Sequence, residues 1–177
     1  MDRPLAADVN AACRLFGQFE LRSGQRSNEY FDKYLFEANP EPLKRVSEAM
    51  VPLIPSGTDL LGGLELGGVP LATVVSQITG LPTVFVRKEA KKYGTCRLAE
   101  DADVAGRSVT LVEDVITTGG AVRNAALALR RNDAHVSTVI CAIDRRPKRV
   151  SVLDDVSVTV MNVLTKKDLD DAQRARS

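Results

Sequence analysis

At 177 residues, with 44% hydrophobic and 27% charged side chains, the chain suits one well-packed domain, is short for two, and is too apolar for disorder. Lys and Arg number 24 against 23 Asp and Glu, a formal net charge of +1, so no global field draws it to nucleic acid or membrane. No apolar run approaches the roughly 20 residues of a membrane span, and MDRPLAADVN lacks a signal-peptide core, which makes a cytoplasmic protein the expectation.

In chain order, 6–16 carries Val9, Ala12, Cys13 and Phe16 at i, i+3, i+4 and i+7, which predicts a helix ending before Gly17. Two β-like pieces, 19–21 and 30–34, follow on either side of the polar turn SGQRSN. A helix fits 42–53, with Pro42 near its first turn and Leu43, Val46, Met50 and Leu53 on one side. From Asp59 short apolar runs alternate with helical stretches, the signature of βα units around a parallel sheet. Strands are expected over 59–62, 83–87, 108–113 and 136–143, with helices over 69–78 and 120–131. A β-like run, 156–163, precedes a polar tail, 166–177, suited to a short helix. No repeat, low-complexity segment or linker divides the chain, so 1–177 reads as a single domain.

Cys13, Cys96 and Cys141 are odd in number and far apart, which predicts unpaired thiols in a reducing compartment and no zinc site. His135, the one histidine, falls at an expected helix-to-strand turn and reads as a solvated loop residue.

Ligands of open α/β sheets bind beyond the carboxyl ends of the strands. That rule selects four loops: LELGG (64–68), RKEAKKYGTCR (87–97), DVITTGG (114–120) and DRRPKR (144–149). In the third, a strand expected to end in Glu113 and Asp114 leads to Thr117, Thr118, Gly119 and Gly120. Glycine backbone, threonine hydroxyls and a helix N-terminus form a phosphate cradle. Carboxylates repel phosphate but accept hydrogen bonds from a ribose diol and favour the positive charge that develops when a glycosidic bond breaks. An ordinary βα turn with an acidic cap would carry the same residues. The second loop holds five cations against one acid, suited to clamping a pyrophosphate, with Gly94 as a hinge. No GKS, GKT or GxGxxG following a strand is present, which disfavours nucleoside triphosphates and dinucleotides.

LVEDVITTGG resembles the phosphoribosyl pyrophosphate (PRPP) signature of type I phosphoribosyltransferases. Three further segments are similar to orotate phosphoribosyltransferases: FELRSGQRSNEYFDKY (19–34), RKEAKKYG (87–94) and DRR (144–146). The resemblance implies an α/β type I phosphoribosyltransferase fold, a central mostly parallel sheet flanked by helices, with a small hood mainly in 1–40 and a core over about 41–165. It also implies PRPP binding by Arg87, Lys88, Lys91, Glu113, Asp114, Thr117, Thr118, Gly119 and Gly120, with Lys91 and Asp114 as the catalytic residues. Orotate binding is implied for Arg22, Tyr30, Phe31, Thr117 and Arg145. An Arg fork suits a carboxylate, and an aromatic ring can pack on a pyrimidine. Mg²⁺ is implied as cofactor, held mainly through PRPP with no direct protein ligand, and so is a homodimer whose Lys91 loop reaches the neighbouring site. Tyr93 stands where many members have His. A phosphoribosyltransferase for another base and a non-catalytic PRPP sensor are the alternatives.

Overall fold

The structure, a computed structural model, describes residues 4–20, 24–87, 99–100, 103–146 and 153–175. Helix α1 (Leu5–Cys13) ends three residues before the expected position. Arg14 turns extended, and β1 (Arg14–Glu20) pairs antiparallel with β2 (Arg26–Phe31), bringing Phe16 opposite Glu29. The helical stripe therefore holds for buried Val9 and Cys13 and half-buried Ala12, while Phe16 is 68% exposed on the hairpin. Strand β2 stops at Phe31, short of the expected Tyr34, because Asp32 Oδ1 accepts the N–H of Tyr34 at 3.1 Å and starts the single turn of α2 (Tyr34–Glu37).

Helix α3 (Pro40–Met50) begins two residues before the expected start. Asn39 caps it by accepting the N–H of Glu41, and Pro40 occupies its first turn, where a missing N–H costs nothing. Val51–Leu53 tightens into a 3-10 turn.

The main sheet comprises β3 (Leu60–Leu64), β4 (Thr83–Val86), β5 (Ala99–Glu100), β6 (Ser108–Ile116), β7 (His135–Asp144) and β8 (Thr159–Thr165), in the order β5-β4-β3-β6-β7-β8. All pairings are parallel except that of β5, an edge strand the sequence pattern did not reveal. Between the strands run α4 (Gly68–Thr79) and α5 (Gly120–Arg130), and α6 (Lys166–Arg174) closes the described chain on a Thr165/Asp168 capping box. The 156–163 run splits: Asp154–Val156 is a 3-10 turn, and the strand begins at Thr159.

Strand alternation divides the core between the two faces of the sheet. Leu60, Leu111 and Val139 pack with Val122, Ala126 and Leu129 of α5. Leu61, Val112 and Ile140 pack with Val9 of α1, Val46 and Met50 of α3, and Leu71 and Val75 of α4. Each fully buried Leu, Ile or Val contributes about 1.5–3 kcal/mol relative to exposure. Cys13 and Cys141 are buried free thiols, and His135 starts β7 with its side chain exposed. Cys96 lies outside the described residues. Among the described residues no helix is long and apolar enough to cross a membrane.

Candidate active site

Strand β6 does not end at the acid pair as expected. It runs on to Ile116 because β7 continues the parallel ladder beside it, pairing Glu113 with Cys141 and Ile116 with Asp144. Glu113 and Asp114 are consequently buried, at 8% and 0% exposure. The chain then turns through Thr117 and Thr118 to Gly119, whose φ of 81° favours glycine, and α5 starts at Gly120. Thr117, Thr118, Gly119 and Gly120 line a concavity of about 60 Å³ at that helix N-terminus. Thr118 Oγ1 accepts the N–H of Gly120 at 3.4 Å.

The LELGG loop lies directly against this strand. A Cβ on Gly67 would come within 1.8 Å of Asp114 Oδ2, and one on Gly68 within 2.2 Å of the Val112 carbonyl oxygen. Only glycines let the start of α4 approach so closely. The Glu65–Leu66 peptide of this loop is cis.

Asp114 accepts the N–H of Val115 at 2.5 Å and forms an ion pair with Lys33. Burial opposes the Asp114 charge, but hydrogen bonds with Glu113, Glu37 and Lys33 outweigh it and hold the carboxyl below its ordinary range. Burial, followed by the hydrogen bond and charge of Asp114, pushes Glu113 and Glu37 up to about 9. Burial also works against the Lys33 charge, yet the Asp114 hydrogen bond and charge raise its pKa. Burial and mutual interaction thus pull these acids apart, raising the pKa of Glu113 and Glu37 and lowering that of Asp114. Sequence reading missed Lys33 and Glu37. The signal was available: Lys33 lies in FDKY, and Glu37 follows one helical turn later.

On the acceptor side, the Arg145 guanidinium sits 5.3 Å from the centre of the Phe31 ring, and Phe19 and Tyr30 have ring centres 5.5 Å apart. Tyr30, Phe31 and Arg145 line a cavity of about 290 Å³ together with Arg14, Lys166 and Asp170. The Arg145 N–H donates to the Ile116 carbonyl at 2.9 Å, tying this cavity to the end of β6. Arg146 turns back onto Asp144, at 2.7 Å between Nη2 and Oδ2. Thr117 lines the smaller concavity with the phosphate-type turn, so the structure divides the expected orotate set between two adjoining hollows. Arg87, half-buried, follows β4 at its carboxyl end, and its Nε has no hydrogen-bond partner among the described residues. Arg22, Lys88, Lys91 and Tyr93 lie outside the described residues.

The phosphoribosyl transferase domain model matches residues 36–169. An orotate phosphoribosyltransferase from a Nocardioides species is 64% identical over 99% of this chain and 98% of its own length. The crystal structure of Mycobacterium tuberculosis orotate phosphoribosyltransferase with Fe(III) dicitrate is 29% identical, with a TM-score of 0.82 over 93% of this chain and 96% of that one. The same enzyme in complex with PRPP aligns at 25% identity, with a TM-score of 0.77 over 94% of this chain and 99% of that one.

Proposed function

We propose, from the premise that this chain belongs to the orotate phosphoribosyltransferase family, that it transfers the phosphoribosyl group of PRPP to orotate, giving orotidine 5′-monophosphate and pyrophosphate in pyrimidine biosynthesis. The observation that carries this reading is the run from buried Glu113 and Asp114 directly into the Thr117–Gly120 turn, beside the Phe31/Arg145 cavity.

In this reading the ribose 2′- and 3′-hydroxyls face Glu113 and Asp114. A neutral carboxyl beside an ionised one both donates to and accepts from a diol, which two carboxylates could not do. The 5′-phosphate takes the N–H groups and hydroxyls of Thr117, Thr118, Gly119 and Gly120. Orotate fits between Tyr30 and Phe31 of the hairpin, acting as hood, and Arg22, Thr117 and Arg145, with the guanidinium groups supplying forked donors to its polar edge. Arg87, Lys88 and Lys91 meet the pyrophosphate, the last from the neighbouring subunit of a cytoplasmic homodimer.

As the bond from C1′ to the pyrophosphate oxygen breaks, its electron pair leaves with pyrophosphate, the N1 lone pair of orotate forms the new bond, and the proton on N1 passes to the departing pyrophosphate. Positive charge grows at C1′ between those events. Ionised Asp114, shielded from water, stabilises that charge more than it could in solvent. Neither carboxylate acts as a nucleophile.

Asp114 is paired with Lys33, and in this reading Mg²⁺ is carried by the oxygens of PRPP. When bound, the ion would neutralise charge on the leaving pyrophosphate.

The test is incubation with Mg²⁺, PRPP and a panel of orotate, uracil, hypoxanthine, xanthine and adenine. Orotidine 5′-monophosphate is expected as the sole nucleotide. A purine nucleotide would move the chain to a phosphoribosyltransferase of another base, and no product with any base would remove the enzymatic reading.

A further inference from the structure

Three buried carboxyl groups influence one another: Asp114 at 0% exposure, with Glu113 and Glu37 at 8% each. Lys33 reaches Asp114 from outside. Its side chain is 34% exposed, while the Asp114 carboxylate it meets has no solvent contact. Asp32, by accepting the N–H of Tyr34, sets the start of α2, so that Lys33 and Glu37 stand one turn apart and both meet Asp114. The Lys33 ammonium also lies 5.2 Å from the centre of the Tyr34 ring, a contact that favours the cation. Lys33 follows Tyr30 and Phe31 by only a few residues, so one short segment links the lining of the acceptor cavity to the acid on β6.

We propose that Lys33 is a positioning residue for donor binding: its ammonium keeps the Asp114 carboxylate charged and aimed for the ribose. The proposal rests on the reading of Asp114 as a ribose-binding acid. A carboxylate cut off from water and given no counter-ion takes up a proton instead of remaining charged. Burial, followed by the neighbouring Asp114, pushes Glu113 and Glu37 that way, raising the pKa of both. Neither brings an opposite charge to Asp114. Lys33 brings it. Without the ammonium, burial would draw the Asp114 carboxyl toward protonation, leaving it able to hydrogen-bond a diol but unable to stabilise charge at C1′. A purely structural Lys33, pinning the hairpin to the sheet, would instead affect orotate and PRPP alike, since Tyr30 and Phe31 sit on that hairpin.

The experiment is calorimetric titration of PRPP with Mg²⁺ into the wild-type protein and the Asp114→Asn, Lys33→Met, Lys33→Gln and Lys33→Arg variants, with KM for orotate at saturating PRPP. Lys33→Met is expected to weaken PRPP binding at least tenfold, to leave KM for orotate within twofold, and to lower kcat. Lys33→Arg should recover PRPP affinity to within threefold of wild type. A folded Lys33→Met protein with PRPP affinity within twofold of wild type would overturn the proposal. So would equal losses for the two substrates, or a loss that Lys33→Arg does not restore. If Lys33→Met does not fold, the comparison of Lys33→Gln with Lys33→Arg decides: a tenfold gap in affinity supports the proposal, and equal affinities overturn it. Wild-type protein that does not bind PRPP, or Asp114→Asn that binds it unchanged, overturns the ribose reading itself. Those results are distinct from a silent Lys33.

Discussion

Gly67, just ahead of α4, and Asp114, on β6, lie so close that a Cβ on the glycine would stand 1.8 Å from the Asp114 Oδ2 atom. The start of α4 and the acid of β6 are thus fitted to one another, and the atom in the way would belong to the buried carboxylate itself. Gly67→Ala must displace either the helix start or the carboxylate. Overpacking of this kind costs about 1–3 kcal/mol. The variant is expected to melt several degrees lower and to bind PRPP at least tenfold more weakly. Unchanged titration and melting curves would show that the close approach is dispensable.

Asp114→Asn preserves the shape of the side chain but removes the charge that meets Lys33. Charge-assisted hydrogen bonds are worth roughly twice neutral ones, about 1.5–3 kcal/mol. PRPP affinity is expected to fall about tenfold to a hundredfold in a protein that remains folded. If titration of the folded variant gave wild-type affinity, Asp114 would have no place at the ribose.

Phe31→Ala removes the ring beneath Arg145. Loss of that contact and of the packing surface for a planar base should lower kcat/KM for orotate by about tenfold or more. PRPP affinity is expected to stay within twofold, because the phosphate turn lines a separate concavity. Steady-state kinetics with each substrate varied in turn separates the two effects, and an equal loss for both would place Phe31 outside the acceptor site.

Lys91, outside the described residues, is assigned to the pyrophosphate by its place in RKEAKKYG. Lys91→Ala is expected to reduce kcat at least tenfold with an unchanged melting temperature. An unaltered kcat for orotate would withdraw the clamping role from this loop.

Stability of the ligand-free protein should depend on pH in a direction set by Glu37 and Glu113. Both are raised from 4.5 to about 9 in the folded protein, so above pH 4.5 the unfolded chain releases protons that the folded one keeps. Their contribution is complete below about pH 4.5 and is lost as pH rises toward about 9. Each group can add a slope of up to about 1.4 kcal/mol per pH unit. Asp114 works oppositely, since its lowered pKa gives stability that is lost as pH falls below its ordinary 3.8. Melting temperature is expected to peak near mildly acidic pH and decline toward pH 9, and Glu37→Gln should flatten the decline. A melting temperature constant from pH 5 to 9 would contradict neutral carboxyls at these positions.

The βα alternation after Asp59 was legible because strand and helix periods are local properties. Four of the sheet's strands and both crossover helices stand within a few residues of their expected positions. Boundaries shifted where a partner intervened. Phe16 left the helix for a hairpin rung opposite Glu29, and β6 outran Glu113 because β7 lay alongside it. Edge strand β5 was invisible, since two residues carry no period.

By itself the sequence determined the class of fold, the loops that meet at the carboxyl end of the sheet, and the residue types suited to phosphate, diol and planar base. All of these follow from local pattern and from motif order along the chain. Tertiary structure alone decided the electrostatic state of the site. Asp114 and Lys33 are far apart in sequence, and only the packing of the hairpin and α2 against β6 makes them partners. Charge in a protein depends on burial and on what lies within a few ångströms, and neither is written in a motif. Glu113 and Asp114 are two adjacent acids in VED; the fold raises the pKa of one and lowers that of the other.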